Sequence, residues 1–565
     1  MLLSKLAPRQ ASLRAFSSVV PKISIGNNVP PARTHPNNSN SRQFQSTLSQ
    51  SNNNKQHSLK KSVYQDDLNL FKDKINTYVQ VNRIRSSNLL FDLNQSMDIY
   101  MKLRAANPFM PGDIARLLQS LHTSIRITRK QRNKKKSEHK DISHETAAIK
   151  AHILTIASDL EHGVVSCTPW GLIHLFTSFA TMEYPEEGIA LWRTLSNPET
   201  SACAQEVWKP HVVGAVIDLM NASDTPFEEI LDIYQQSKAT GGESPNLEQA
   251  MVGTLIKNNM IDEALRLFTQ VLSNYPDEQY SLSRIHDRFV GDCDDVQTAL
   301  NFFYEGIENK TPYKASTHPS TVVRLMERIW NSELDTRLDD IERVWKTYIA
   351  NIPRSMGEWM FNTTVHTFLQ CFMQTYPTPI PEAVTRLKDI IQFYVKTRVE
   401  ISPIFLNTVL SSVQPWGDQD IVFTIINAFE IFHLPQDAVS CRIILNSFEN
   451  IQVSEELILD RWARLKESRP NIDALDLLAL LRACFPQSRE QLFANVFSEA
   501  LERGEISDQA ILGANKAIAV NDRLNPRQAF WQNLLSQNYI EYDNESLVHK
   551  TPFQVPNSII DDGVH

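Results

Sequence analysis

Apolar positions along the middle of the chain recur in a helical phrase that closes on an aromatic residue. The phrase occurs as GIALW, EILDIY, EALRLF, ALNFFY, IERVW and IIQFY, closing at Trp192, Tyr234, Phe268, Phe303, Trp345 and Tyr394. These aromatics lie 42, 34, 35, 42 and 49 residues apart. Two steps near 34 residues, with the others lengthened by insertions, are typical of stacked helix pairs. We therefore predict an all-α fold, an α-solenoid whose usual function is to hold a long partner.

The segment 244–277 is the cleanest repeat unit. Its predicted buried stripe consists of Met251, Val252 and Leu255 on the first helix and Ala264, Leu265, Leu267 and Phe268 on the second. Apolar residues at intervals of three and four give each helix one buried face. A single unit cannot cover both faces, so neighbouring units must cover them.

Composition divides the chain into five regions. These are a leader (1–64), an N-terminal helical region (65–163), the repeat array (164–470), C-terminal helices (471–540) and a tail (541–565). The leader lacks acidic residues and is rich in Arg and Ser, which is typical of a mitochondrial transit peptide. A disordered basic tail is the alternative, because residues 27–57 are too polar to pack a core.

A basic insert, ITRKQRNKKKSEHK, interrupts the N-terminal region at residues 127–140. One interpretation is a solvated, flexible loop between two helices. The other is a patch for the phosphates of RNA or for anionic lipid. Charge alone does not identify the polyanion, so both interpretations stay open.

Charge and motifs argue against several functional classes. The net charge of -9 disfavours a general nucleic-acid coat, although it permits a basic stripe on one face. The sequence contains no P-loop, GxSxG, HExxH or GxGxxG motif. Six scattered cysteines lack zinc-site spacing and are expected to be buried thiols. No apolar run approaches the roughly 20 residues of a membrane-spanning helix, so any membrane association would be peripheral.

Three acidic groups are the candidates for a metal-dependent nuclease: Asp292 to Asp295, Asp339 with Asp340, and Asp561 with Asp562. A magnesium site would need several such carboxylates converging on one scaffold. The first two groups lie where a repeat turns or a helix begins, and acidic residues are favourable there without a metal. We therefore predict a protein that is not an enzyme and that has no metal or other cofactor.

Particular segments resemble the pentatricopeptide-repeat family. Residues 257–268 follow the family pattern of turn and second helix, and YPEEGIALWRTL, FVGDC, NKTPY and VSCRIILNSFENI are similar to yeast mitochondrial members. The resemblance covers roughly residues 165 to 465. It implies an RNA-binding protein of the mitochondrial matrix that binds single-stranded 3′ regions of mitochondrial mRNAs. It also implies that the protein stabilises or processes those mRNAs, supports their translation, and associates with the mitochondrial ribosome and the inner membrane.

The resemblance further implies which residues read RNA. In this family the fifth residue of a repeat, near the start of the first helix, hydrogen-bonds a base edge. The flanking apolar residues locate this position at Gln249, Asn362, Asn407, Arg442 and Arg284, and also at Gly171, Gly214 and Val323, which cannot offer such bonds. The candidates for phosphate contact are Lys257, Lys310, Lys314 and Arg324. Each of these residues could equally be an ordinary solvated side chain.

Two further questions remain open from the sequence. His318 could stack on a base, although capping or packing of a helix is favoured for it. A helical array with this net charge could also be a scaffold that binds a protein on the mitochondrial ribosome or inner membrane. Lysines, arginines and polar fifth positions on one face would favour RNA over a peptide.

Overall fold

The computed structural model describes residues 64–80, 89–135, 143–199, 201, 203–315, 318–353, 356–397, 402–469, 471–521 and 524–538. The leader and the tail, and with them the expected transit peptide and Asp561 with Asp562, lie outside the described residues, apart from Tyr64. The described residues all belong to one compact unit. The described part of this unit contains 25 α-helices, which confirms the all-α prediction.

Four helices form the N-terminal region: α1 (Gln65–Gln80), α2 (Leu89–Leu103), α3 (Pro111–Lys135) and α4 (Ser143–Glu161). Helix α3 includes residues 127–135, so the expectation of a loop is wrong for that part of the basic insert. Lysine, arginine and glutamine are good helix formers, which allows the helix to continue through a segment with little apolar character. Residues 136–140 of the insert lie outside the described part.

The array begins with the hairpin of α5 (Pro169–Met182) and α6 (Pro185–Leu195), followed by the one-turn helix α7 (Ala204–Val207). Four hairpins follow: α8 (Pro210–Ala222) with α9 (Phe227–Gly241), α10 (Pro245–Lys257) with α11 (Ile261–Asn274), α12 (Gln279–Asp292) with α13 (Val296–Ile307), and α14 (Pro319–Asn331) with α15 (Arg337–Asn351). The remaining hairpins are α16 (Glu358–Thr375) with α17 (Pro381–Thr397), α18 (Pro403–Val413) with α19 (Gln419–Ile431), α20 (Ala438–Ser447) with α21 (Glu455–Ser468), α22 (Ala474–Cys484) with α23 (Glu490–Glu502), and α24 (Asp508–Val520) with α25 (Gln528–Gln537). The hairpin pattern therefore continues past residue 470 into the C-terminal helices.

Local signals in the sequence start the helices. Five first helices of hairpins begin with a proline: Pro169, Pro210, Pro245, Pro319 and Pro403. Proline suits the first helical position because its missing N–H has no partner there in any case. Some helices without this proline have a side-chain cap instead, as where Asp437 accepts a hydrogen bond from the backbone of Ser440 at 2.8 Å.

The first helices form one continuous layer. Each packs against the first helix of the next hairpin, in the order α1, α3, α5, α8, α10, α12, α14, α16, α18, α20, α22 and α24. Most second helices pack against the first helix of their own hairpin. Each hairpin contributes its buried stripe to a single apolar core that continues through the stack.

The six closing aromatics lie in this core. Phe303, Trp345 and Tyr394 are fully buried, and Trp192, Tyr234 and Phe268 are at most 9% exposed. In the unit 244–277 the first-helix stripe is buried as predicted, and so are Ala264 and Phe268. Leu265 and Leu267 are half-buried and pack against the core from the edge of the second-helix stripe.

Candidate nucleic-acid interface

Three large aromatic side chains are exposed at the same position of the first-helix layer. Trp170, Tyr280 and Trp359 are the second residues of α5, α12 and α16, and they are 54%, 69% and 68% exposed. Most tryptophan side chains in folded proteins are largely buried, so this recurrence is informative. Sequence reasoning missed these residues, because it followed the aromatics that close the second helices. The sequence pattern that could have identified them is an aromatic residue immediately before the apolar stripe of a first helix.

The fifth helical position lies one turn after these aromatics. It is occupied by Gly214 in α8, Gln249 in α10, Val323 in α14, Asn362 in α16, Asn407 in α18 and Arg442 in α20. In every one of these helices the residues two and three positions further on are buried, which places the six residues at equivalent points of the layer. The sequence-derived phase is therefore self-consistent across most of the array.

Two of the predicted positions differ from this phase. In α12 the fifth residue is Ser283. Buried Leu282 directly precedes Ser283, just as buried Phe361 directly precedes Asn362 in α16. Arg284 is one residue further and exposed. In α5 the fifth residue is Ile173, and Gly171 is buried where α5 approaches α3. A β-carbon added at Gly171 would lie 2.6 Å from the Cα of Ala115.

The fifth positions face the neighbouring first helix. Gln249 and Asn407 are only 4% and 7% exposed. At Gly214 an added β-carbon would lie 2.7 Å from the backbone oxygen of Asn246 on α10. Glycine is thus required there by a close helix–helix approach, and the position serves packing as well as the surface of the layer.

Hydrogen bonds from two fifth positions join successive first helices. The hydroxyl of Thr408 on α18 donates to Oδ1 of Asn362 on α16 at 3.0 Å. The amide nitrogen of Asn407 donates to the hydroxyl of Ser440 on α20 at 3.1 Å. These contacts set the register between hairpins, so the two asparagines support the stack in addition to any role toward a ligand.

Two amide oxygens at fifth positions have no hydrogen-bond partner among the described residues. They are Oε1 of Gln249 and Oδ1 of Asn407. A buried acceptor without a partner costs about 1–3 kcal/mol, and such exceptions in a folded protein call for an explanation. Both oxygens could accept a hydrogen bond from a donor that enters between the first helices.

Arg442 and Arg284 have different surroundings. Nη2 of Arg442 donates to Asp476 on α22 at 2.7 Å and to Asp473 at 3.2 Å, and its side chain is 13% exposed. This ion pair neutralises Arg442 and holds α20 to α22, so a base would have to compete with Asp473 and Asp476 for its guanidinium. The guanidinium of Arg284 lies 5.6 Å from the ring centre of exposed Tyr280, so the two form a cation–aromatic pair.

Most of the predicted phosphate contacts are already ion-paired. Lys257 bonds Asp224 and the backbone oxygen of Asn221, and Lys310 pairs with Glu308. Arg324 lies 3.2 Å from Asp292 on the preceding first helix. The exposed side chain of Lys314 has no carboxylate partner among the described residues. A phosphate would therefore have to compete with carboxylates at three of these four positions.

A carboxyl group on α12 lies among these basic residues. Burial raises the pKa of Asp287 to about 7, and the nearby charges of Arg324 and Arg284 oppose this rise. Its Oδ1 has no hydrogen-bond partner in the described part of the chain. Protonation of Asp287 would therefore increase the net positive charge of this part of the layer near neutral pH.

The described acidic groups take part in structural contacts. Asp294 pairs with Arg328, Asp295 caps α13, and Asp339 lies 2.6 Å from Arg386. Asp340 pairs with Arg343 at 3.5 Å. Within the described ranges no group of three or more His, Cys, Asp or Glu residues is placed to hold a metal ion. Each described carboxylate of the first two candidate groups thus has a partner within the protein, since Asp292 lies beside Arg324.

Several smaller predictions can also be compared with the structure. The ring of His318 accepts a hydrogen bond from the backbone of Ser320, which confirms its capping role. All six cysteines are buried and unpaired, as expected. Among the described helices, none combines the length and apolar character needed to cross a membrane.

A stack of helical hairpins with recurring polar and aromatic positions along its first-helix layer defines a pentatricopeptide-like repeat protein. The RMD9 N-terminal domain model matches residues 35–206 and the RMD9 middle domain model matches residues 227–435. Together these matches cover more than half of the chain, which belongs to the RMD9 family. The sequence-derived resemblance is thus confirmed.

Named relatives and a solved structure agree with this assignment. The chain is 29% identical over 392 residues to the Eremothecium gossypii protein named "RNA-binding protein RMD9, mitochondrial", covering 67% of this chain and 58% of that protein. It is 27% identical over 436 residues to the Saccharomyces cerevisiae protein of the same name, covering 74% and 67%. The structure of yeast Rmd9p in complex with a 16-nucleotide target RNA has the same fold, with a TM-score of 0.68, 24% identity, and coverage of 85% of this chain and 98% of that one.

Proposed function

We propose that this protein binds single-stranded RNA in mitochondria along its first-helix layer. The observation that carries the proposal is the recurrence of exposed Trp170, Tyr280 and Trp359 at one position of that layer. Sequence-specific proteins commonly stack the unpaired bases of single-stranded RNA on aromatic side chains. The names of the relatives, which describe mitochondrial RNA-binding proteins, support the same function.

Base discrimination would come from the fifth positions one helical turn away. The unpaired amide oxygens of Gln249 and Asn407 can accept a hydrogen bond from a base edge, and half-buried Asn362 can share its amide. Arg284 beside Tyr280 adds a cation at a stacking position. Arg442 would read a base only by giving up its ion pair with Asp476, and this pair supports a role for Arg442 in the stability of the array.

Phosphate contacts would involve Lys314 directly and Lys257, Lys310 and Arg324 through exchange of carboxylate partners. We further propose that the bound RNA is a 3′ element of mitochondrial mRNAs, and that binding stabilises or processes those mRNAs and supports their translation. Association with the mitochondrial ribosome and peripherally with the inner membrane belongs to the same proposal. The resemblance to yeast mitochondrial pentatricopeptide proteins supports these finer points.

Crosslinking followed by sequencing of the attached RNA tests the proposal in cells. A shared sequence element at transcript 3′ ends is the expected result, and crosslinks spread evenly over transcripts would contradict it. Binding of the recovered element by purified protein, measured by fluorescence anisotropy, then tests the stacking residues. Loss of one stacked base costs about 1–3 kcal/mol, so Trp359→Ala should weaken binding by roughly 5- to 150-fold.

Ile431 provides a matched control for the stacking test. It is 69% exposed at the end of second helix α19, so Ile431→Ala removes a comparable exposed apolar side chain from outside the first-helix layer. Its RNA affinity should equal that of the parent protein. Equal losses for Trp359→Ala and Ile431→Ala would exclude stacking at the first-helix layer.

The alternative function is a protein-binding scaffold. The pairing of Lys257, Lys310 and Arg324 with carboxylates favours it, because a neutralised surface attracts phosphates less strongly. The two functions differ in their dependence on the fifth positions. A scaffold predicts no difference in affinity between the recovered RNA and a scrambled RNA of equal composition.

A further inference from the structure

The first-helix layer continues ahead of the repeat array through α3, against which α1 packs in turn. Helix α3 packs against α5, which packs against α8, so the layer that carries the exposed aromatics is continuous into the N-terminal region. Helix α3 contains seven basic residues and one acidic residue, whereas the whole chain has a net charge of -9. Positive charge is therefore concentrated in the helix that adjoins the start of the repeat array.

A cluster of aromatic rings joins α3 to the first exposed tryptophan. Nδ1 of His122 on α3 lies 2.9 Å from Nδ1 of His174 on α5. The ring of Trp170 meets His174 edge-on, with ring centres 4.6 Å apart. Burial lowers the pKa of both histidines to about 4, and the nearby charge of Arg126 contributes to the lowering. The histidines are thus neutral at physiological pH, and Arg126 supplies the charge of the cluster.

Arg126 differs from most of the basic residues discussed above. It is exposed, and it has no ion pair or hydrogen bond with another side chain in the described part of the chain. Lys257, Arg324 and Arg442 each have a carboxylate partner. A phosphate at Arg126 would consequently displace nothing from the protein.

Further basic residues follow Arg126 within the same helix. Five of the nine positions from 127 to the end of α3 are basic, namely Arg129, Lys130, Arg132, Lys134 and Lys135. At 1.5 Å per residue, the basic stretch from Arg126 to Lys135 extends for about 14 Å along the helix axis.

Composition favours a nucleic acid over a membrane surface. A helix that lies in a membrane interface needs an apolar face opposite its basic one. After Ile127, helix α3 contains no apolar residue up to its end at Lys135. Sites for single-stranded nucleic acid combine a basic track with aromatic platforms, and the combination here is Arg126 beside the Trp170 cluster.

We propose that the second half of α3 is a sequence-independent site for the phosphates of RNA that extends beyond the repeat array, with Trp170 at the junction. This inference rests on the proposed RNA-binding function and adds a second site to it. The array would select the sequence, and α3 would hold the strand that leaves it. The gain should appear only with RNA longer than the segment covered by the array.

The experiment uses the full protein and two kinds of RNA. One is the RNA fragment that the bound protein protects from nuclease. This fragment is then shortened to the minimum length that still binds the protein. The other is the same fragment with about eight uridines added at its 5′ or its 3′ end, within the range of site sizes known for single strands. The test variant is Arg126→Gln with Arg129→Gln and Arg132→Gln, since glutamine maintains helix propensity.

Two further variants separate charge from other effects. The matched control is Arg266→Gln with Arg464→Gln and Arg503→Gln, which removes three exposed arginines from or next to second helices. A charge-retaining variant replaces Arg126, Arg129 and Arg132 with lysine. The extended RNA should bind the parent, the control and the lysine variant at least tenfold more tightly than the short fragment does.

The glutamine variant of α3 should lose this gain for one of the two extensions and keep its affinity for the short fragment. The affinity of this variant for the extended RNA should also depend less on salt. The slope of log affinity against log salt concentration should become shallower by up to about 2, because each phosphate that the variant no longer neutralises removes roughly 0.7 from the slope. An equal gain for parent and variant, or no gain in the parent, would overturn the inference alone. Absence of binding to either RNA would overturn the proposed function as well.

A membrane role would give a different pattern. Sedimentation with vesicles of phosphatidylcholine and cardiolipin measures it directly. Vesicle binding that the glutamine variant loses, together with an unchanged gain from RNA extension, would assign α3 to lipid and overturn the inference.

Discussion

Nη2 of Arg288 on α12 donates to Oδ1 of Asp218 on α8 at 2.6 Å, reaching past the intervening first helix α10. Gly253 on α10 makes this possible, because a β-carbon there would collide with the Arg288 guanidinium. One side chain thus connects three successive hairpins. The two partners are 22% and 28% exposed, so the pair is partly shielded from water.

We expect this pair to stabilise the array across hairpins. A double-mutant cycle with Arg288→Ala and Asp218→Ala should give a coupling free energy of about 1 kcal/mol, near the upper end for ion pairs that keep some solvent contact. Thermal unfolding followed by circular dichroism measures it. The exposed pair of Arg266 and Glu263 is the control, with a smaller expected coupling. Additive effects of the two Arg288 and Asp218 substitutions would contradict the prediction.

Two tryptophans should separate core packing from ligand contact. Trp345 is fully buried and stacked on Phe368 with ring centres 4.7 Å apart, whereas Trp359 is 68% exposed. Trp345→Ala should destabilise the array by about 3–5 kcal/mol through the cavity it leaves. Trp359→Ala should change the stability by less than about 0.5 kcal/mol. Melting temperatures of the two variants give the comparison, and similar melting temperatures would contradict the assigned helix phase.

Asn407 should affect both stability and base preference. Asn407→Ala removes its hydrogen bond to Ser440, which costs about 1 kcal/mol of stability. By analogy with base-edge contacts to DNA, it should also reduce discrimination at one RNA position by about 1–3 kcal/mol. Ser440→Ala removes the same bond and leaves the amide, so it should reduce stability while keeping the base preference. Unchanged affinity for every single-base variant of the RNA would exclude Asn407 as a reader.

Asp287 should make stability depend on pH in an unusual direction. Its folded-state pKa is raised to about 7, from an ordinary value of 3.8, mainly by burial. Between about pH 4 and pH 7 the folded protein therefore holds a proton that the unfolded chain has lost, and stability falls as pH rises. Asp287→Asn should remove this decline and raise the melting temperature more at pH 8 than at pH 5. An equal change at both pH values would show that Asp287 titrates normally.

The repeat architecture could be predicted from the sequence because it depends on a periodic pattern. Apolar spacing of three and four residues located the buried faces, and the buried positions of Phe303, Trp345 and Tyr394 agree with it. The burial of Leu267 was harder to predict. Neighbouring residues of a helix point about 100° apart, so a residue next to the centre of a buried stripe already lies at its edge. The helical continuation of 127–135 was missed because a run of charge offers no apolar period to read.

The candidate site was only partly predictable. The phase of the first helices located Gln249, Asn362 and Asn407 at equivalent positions. Their partners on the next hairpin, such as Ser440 for Asn407, depend on how hairpins stack and leave no local mark in the sequence. The pairing of Arg442 with Asp476 joins residues 34 positions apart, and no local pattern distinguishes it from a free cation.

The carboxylates paired with Lys257, Lys310 and Arg324 have a thermodynamic consequence. They act as counterions built into the protein, so a phosphate that binds these cations would replace a carboxylate and release fewer salt ions to solution. The freed carboxylates would in turn attract cations from the buffer. The array should therefore retain its RNA over a wider range of ionic strength than its number of phosphate contacts implies, while contacts at Arg126 should follow the ordinary salt dependence.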